Sequence, residues 1–104
     1  MAWVCLLLAG LLEIAWATGL KLSDGFSRPV IAALTLVCMA ASFALLAMAL
    51  RALPIGSAYA VWTGIGTIGT AIVGIIWFAE AATLARLGFI GLIVLGIAGL
   101  KLTS

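Results

Sequence analysis

The stretch Ala2-Trp3-Val4-Cys5-Leu6-Leu7-Leu8-Ala9-Gly10-Leu11-Leu12-Glu13-Ile14-Ala15-Trp16-Ala17-Thr18-Gly19-Leu20 contains a single acidic or basic residue, Glu13. A helix of that length matches a hydrocarbon core roughly 30 Å thick. A charged side chain at such a depth costs about 2.5–3.5 kcal/mol even on the lenient insertion scale, so intramembrane acids are rare and usually mark a path for ions, protons or substrate. Glu13 is therefore the first candidate for function, and the stretch around it is the first predicted span.

The rest of the chain agrees with lipid as its solvent. It is 67% hydrophobic and 8% charged, with a mean hydropathy of +1.45, whereas soluble domains are about a quarter charged. A 104-residue soluble fold could not hide so much apolar surface. The net charge of +2 includes no basic cluster, which argues against nucleic acid as a partner. Cys5 and Cys38 fall in predicted spans and read as reduced thiols. There is no histidine and no cysteine spacing suited to a metal, and no cofactor is expected. Ala15-Trp16-Ala17 resembles a signal-peptidase site, but the chain starts Met1-Ala2-Trp3 without a basic region, and Glu13 interrupts the apolar run. The segment is retained as a mature span.

Charged and turn residues divide residues 1–104 into one four-span subunit. The spans are expected at about 2–20, 30–50, 57–78 and 87–100. Lys21 to Arg28 form the first loop, with Pro29 in the opening turn of the second helix. Pro54-Ile55-Gly56 makes the second turn, and Glu80 and Arg86 bracket the third link. Loops this short make consecutive helices antiparallel neighbours and leave no soluble catalytic domain. Lys21, Arg28 and Arg86 lie on one side of the membrane, Arg51 and Lys101 on the other. The positive-inside rule needs a clearer imbalance, so one fixed orientation and insertion in both remain open.

At 100° per residue, Leu6, Ala9, Gly10, Trp16, Ala17 and Leu20 lie within about 60° of Glu13. The small residues leave space beside the acid for a helix or a small ligand. On the third span, Tyr59, Trp62, Thr63, Gly66 and Thr70 form one stripe whose aromatic faces attract cations. Packing or interfacial anchoring is the plainer reading of those aromatics taken alone. Ser42 is one of few hydroxyls in the second span, with Met39 and Phe43 nearby. Gly64-Ile65-Gly66-Thr67-Ile68-Gly69 matches the dinucleotide fingerprint in letters only, because that motif requires a strand-to-helix turn. Here its glycines permit a bend or close helix contact. Gly88, Gly91, Gly96 and Gly99 lie on one side of the fourth helix, a face that lets backbones approach in lipid.

Glu13 together with Pro54-Ile55-Gly56-Ser57-Ala58-Tyr59-Ala60-Val61-Trp62-Thr63-Gly64 resembles the small multidrug resistance family over essentially the whole chain. Glu13-Ile14-Ala15-Trp16 and the ending Gly99-Leu100-Lys101 are similar to its guanidinium-exporting subtype. Quaternary-ammonium exporters tend to have a small residue at the position of Trp16. Ala81 departs from the Pro common after the loop acid, a difference confined to a loop. The resemblance implies an all-α integral membrane protein, an antiparallel homodimer of dual-topology subunits in the inner (plasma) membrane of a bacterium. It implies that both copies of Glu13 form a central site where protons and substrate compete. Ser42 and Trp62 would hydrogen-bond and orient Glu13, Trp16 and Gly10 would line the site, and Tyr59 would lie beside it. Met39 and Phe43 would line a portal towards lipid, Gly64 and Gly66 would permit a bend, and the fourth-span glycines would hold the dimer.

The expected activity is proton-coupled export of guanidinium ion. Guanidinium is planar, and its paired N–H donors match a carboxylate bidentately. Two Glu13 carboxylates can clamp one cation, and protonation removes the charge that holds it. An exporter of bulkier aromatic or quaternary ammonium cations is the alternative within the family. From another class, a proton-conducting or rotor-ring proteolipid also carries a lone membrane carboxylate. No nucleophile–base pair points to an enzyme.

Overall fold

Four helices account for nearly all of the chain in the computed structural model, which describes residues 1–103. They are α1 (Ala2–Leu22), α2 (Pro29–Ala49), α3 (Ile55–Trp77) and α4 (Leu84–Thr103). Each is long and apolar enough to cross a membrane. Their outward faces carry Val30, Val37, Trp77, Phe89 and Leu95, all largely exposed, which in lipid is the favourable arrangement rather than a liability.

The ends of the helices follow local chemistry. Pro29 occupies the first turn of α2, where its missing N–H is harmless. Three successive residues, Asp24, Gly25 and Phe26, take positive φ in the first loop. Ser23 ties that loop to α1, with Oγ donating to the Leu20 carbonyl at 2.9 Å and accepting from the Phe26 N–H at 3.1 Å.

Two boundaries differ from the expected ones for identifiable reasons. Pro54 is the N-cap of α3 with extended backbone, so the helix opens at Ile55 and Gly56 is inside its first turn rather than in the connection. The last helix begins at Leu84, not at residue 87, because the Thr83 hydroxyl accepts the Arg86 N–H at 3.1 Å. A threonine accepting from the third residue of a helix is an N-cap, and it adds most of a turn. Arg86 thus lies within α4 instead of bounding it, and α4 has 20 residues rather than the short span expected.

α1 packs against both α2 and α3, while α4 packs against α3 and reaches α1 through Lys101 Nζ, 5.2 Å from the centre of the Trp3 ring. The subunit measures 41 × 35 × 16 Å, so its thinnest dimension is about that of two helices packed with axes roughly 8–10 Å apart. The core sits at the end where α1 and α3 start and α2 and α4 finish. There Leu6, Ala9, Ala49, Ala58, Val61 and Trp62 bury one another. Beyond that core, α1 stays in contact with α3 where Ile14 lies over Gly69 and with α2 where Thr35 lies over Gly19. α4 contributes no buried residue.

Candidate functional site

Glu13 lies midway along α1, and its side chain crosses to α3. The carboxylate rests on Gly66, where an added Cβ would overlap Oε1 and Cδ and lie 2.8 Å from Cγ. Only glycine admits an acidic side chain there. The carboxylate opens into a cavity of about 380 Å³ shared with Trp16, Ala17, Thr67, Thr70, Glu80 and Arg86.

Among the described residues, Glu13 Oε1, Trp16 Nε1 and Thr18 Oγ1 are buried side-chain polar atoms with no hydrogen-bond partner. Buried polar groups are nearly always paired, so the exceptions call for an explanation. Two of these three, an acceptor on Glu13 and a donor on Trp16, stand about one helical turn apart and line the same cavity. An apolar cavity of about 540 Å³ lies between α1, α2 and the end of α3, around Leu11, Ile14, Thr35 and Trp77. No charged group lines it, so the smaller cavity is the candidate site despite its size.

Ser42 is fully buried. Its Oγ donates to the Ala9 carbonyl at 2.7 Å and accepts from Trp62 Nε1 at 3.0 Å. The expected hydrogen bonds from Ser42 and Trp62 to the Glu13 carboxylate are therefore not made in this structure. Their polar atoms are already used by each other and by Ala9, while the carboxylate lies on Gly66. Ala9 is four residues before Glu13, so its carbonyl is the one that Glu13's own N–H faces in the helix. The two residues fix the turn of α1 that carries the acid instead of touching its oxygens. Ser42→Ala would leave Trp62 Nε1 buried without an acceptor, at a cost on the order of 1 kcal/mol. The expected result is a lower melting temperature for the detergent-solubilised protein, measured against wild type.

A chain of aromatic rings joins the three helices at this level. Phe43 meets Trp16 edge-on at 6.2 Å and Trp62 at 5.7 Å, and Trp62 meets Tyr59 at 5.5 Å. Tyr59 is 55% exposed at the far end of this row. Met39 is partly buried on α2, one turn from Phe43.

The glycines have separate neighbours. Gly10 is buried against Ile65, with space for a Cβ only 2.7 Å from Cγ2, so it faces α3 and not the Glu13 cavity. Gly64 faces Ile97 of α4 equally closely, whereas Gly66 faces Glu13. Both lie within an unbroken α3. Gly88, Gly91, Gly96 and Gly99 have nothing within 4 Å of where a Cβ would stand.

The family model described as Small Multidrug Resistance protein matches residues 1–93. The chain belongs to the small multidrug resistance family. It is 61% identical to the guanidinium exporter of Yersinia pseudotuberculosis serotype I (strain IP32953) over 104 residues, all of both chains. It is 54% identical to the guanidinium exporter of Escherichia coli (strain K12), covering all of this chain and 99% of the relative. With four spanning helices and bacterial relatives, it is a multi-pass protein of the bacterial inner membrane.

Within this family member, the structure brings Glu13, Trp16 and Gly66 to one cavity. Phe43 touches Trp16, while Ser42, Trp62 and Tyr59 connect to it only through Phe43 and Trp62 and do not line the cavity. Thr67, Glu80 and Arg86 line the cavity without having been singled out from the sequence as site residues. Thr67 follows Gly66 directly and could have been placed on the flank of the same stripe. Glu80 and Arg86 read only as loop punctuation, because their position depends on how the third loop folds back.

Proposed function

We propose that this chain exports guanidinium ion in exchange for protons by alternating access, with Glu13 as the group that binds both. The observation that carries the reading is the buried, unpartnered Glu13 oxygen in a cavity beside an equally unpartnered indole N–H. A planar cation with several N–H donors supplies what the carboxylate lacks, and the two 54–61% identical relatives carry the name guanidinium exporter.

In a single subunit the Glu13 cavity stays open where Glu80 and Arg86, both more than a third exposed, line it, and a second copy closes it. The fourth-helix glycines stand in open space on one side of α4, the geometry of a close helix contact. Three basic residues against two across the membrane give little preference between orientations. These observations support an antiparallel homodimer in which two Glu13 carboxylates face each other. In it, exchanging the conformations of the two subunits turns one site from one face of the membrane to the other, the two-fold logic of inverted-repeat transporters.

In this scheme Trp16 walls the site, and Ser42 and Trp62 hold the helix turn beneath Glu13. Tyr59 ends the aromatic row beside it, and Met39 and Phe43 line a portal between helices. Gly64 and Gly66 give α3 room to bend during the exchange. Protons and guanidinium exclude one another at the Glu13 pair, so inward proton flow drives the cation out.

The test is electrical. Purified protein in liposomes is expected to give a transport current on addition of guanidinium and none on addition of a quaternary ammonium ion. Current with bulky cations alone moves the chain to the multidrug subtype. A proton leak that ignores both substrates overturns the transporter reading.

A further inference from the structure

The cavity around Glu13 ends at a second carboxylate. α3 stops at Trp77, and Ala79 turns the chain back with a left-handed φ of 54°, a conformation that costs a non-glycine residue about 1–2 kcal/mol. The reversal lets the Glu80 N–H donate to the Gly74 carbonyl at 3.1 Å. It also lays the Glu80 carboxylate on Gly74, where a Cβ would come 2.7 Å from the carboxyl carbon. Gly74 thus receives Glu80 much as Gly66 receives Glu13. The two glycines are eight residues apart on one helix, which sets the two carboxylates about 12 Å apart along it.

Glu80 already holds a guanidinium group, that of Arg86. Arg86 Nη2 donates to Glu80 Oε1, and Nη1 donates to the Ala81 carbonyl at 3.3 Å. Both side chains line the same cavity as Glu13 and Trp16. The pair is more than a third exposed on each side, Arg86 at 37% and Glu80 at 39%, and ion pairs this wet are weak and readily exchanged. The arginine side chain ends in the same planar donor fork as the free ion.

We propose that Glu80 is an outer binding carboxylate for guanidinium ion, and that Arg86 is its built-in competitor at the mouth of the Glu13 cavity. This rests on the guanidinium reading of Glu13. A free guanidinium ion displaces Arg86 from Glu80, passes about 12 Å inward to the unpartnered Glu13 oxygen, and Arg86 closes on Glu80 behind it. No bond is made or broken; two cations of one chemical kind trade places on one carboxylate.

The proposal separates Glu80 from Arg86, which a loop clip would not do. In proteoliposomes, the guanidinium concentration giving half-maximal current is expected to rise about fivefold in Glu80→Gln, which removes the docking charge. In Arg86→Gln, which removes the competitor, it is expected to fall by a similar factor. Arg86→Lys keeps the charge without the fork and is expected between Arg86→Gln and wild type. Half-saturation does not depend on how much protein is active, so partial misfolding does not imitate these shifts. Equal shifts in one direction, or none, identify the pair as a clip for the third loop and overturn the proposal while leaving Glu13's role standing. Absence of guanidinium current in wild type overturns both.

Discussion

Glu13→Gln is expected to abolish guanidinium-evoked current, leaving no more than about one hundredth of the wild-type signal. Hydrogen bonds to a charged group contribute about 1.5–3 kcal/mol each, and losing a bidentate pair costs at least about two powers of ten. Glutamine has the same shape and seats on Gly66 as the carboxylate does, so the helices keep their packing. It cannot carry the charge that holds a cation or release a proton in exchange. If Glu13 were only a hydrogen-bonding contact between α1 and α3, the amide would replace it with little loss. The pH dependence separates the readings further. Where protons compete with guanidinium at Glu13, half-saturation of the wild type moves to higher guanidinium as pH falls. Any residual current of the glutamine variant shows no such movement. A glutamine variant with wild-type current would remove Glu13 from the transport path.

The spans were legible because an apolar run of about twenty residues has one stable solution in lipid. The acid that interrupts the first run pointed to function for the same energetic reason. What escaped were features set by a single hydrogen bond or by the register between helices. Thr83 lengthens α4 through one N-cap bond, a signal present in the sequence but outweighed by Arg86 reading as a loop residue. The contact of Ser42 with the Ala9 carbonyl depends on how α2 slides against α1, and no pattern within either helix encodes that. The position of Glu80 depends on the positive φ of Ala79, which alanine gives no reason to expect. The stripe through Trp62 and Gly66 was visible, yet which side chain would fill the space over Gly66 was not. That space proves to belong to the most expensive residue in the membrane.

Gly66→Ala should therefore separate stability from transport. The added methyl overlaps the Glu13 carboxylate and reaches within 2.8 Å of Cγ. The group that must give way is the free end of a side chain, so the carboxylate moves and the helices stay. Alanine is also the better helix former by about 0.8–1 kcal/mol, and the melting temperature is expected to hold or rise. Guanidinium current is expected to fall tenfold or more, because a reacting or binding group displaced by about 1 Å can lose two orders of magnitude. Gly10→Ala provides the contrast. Its methyl meets Ile65 at Cγ2 and Cβ, 2.7 and 2.8 Å away, and Cβ cannot swing aside without moving α3. That variant is expected to lose stability and current together. A Gly66→Ala protein that melts like wild type and still transports like it would show that the seat on Gly66 is not where the carboxylate works. Stability kept with current lost would place the working position of Glu13 on that glycine.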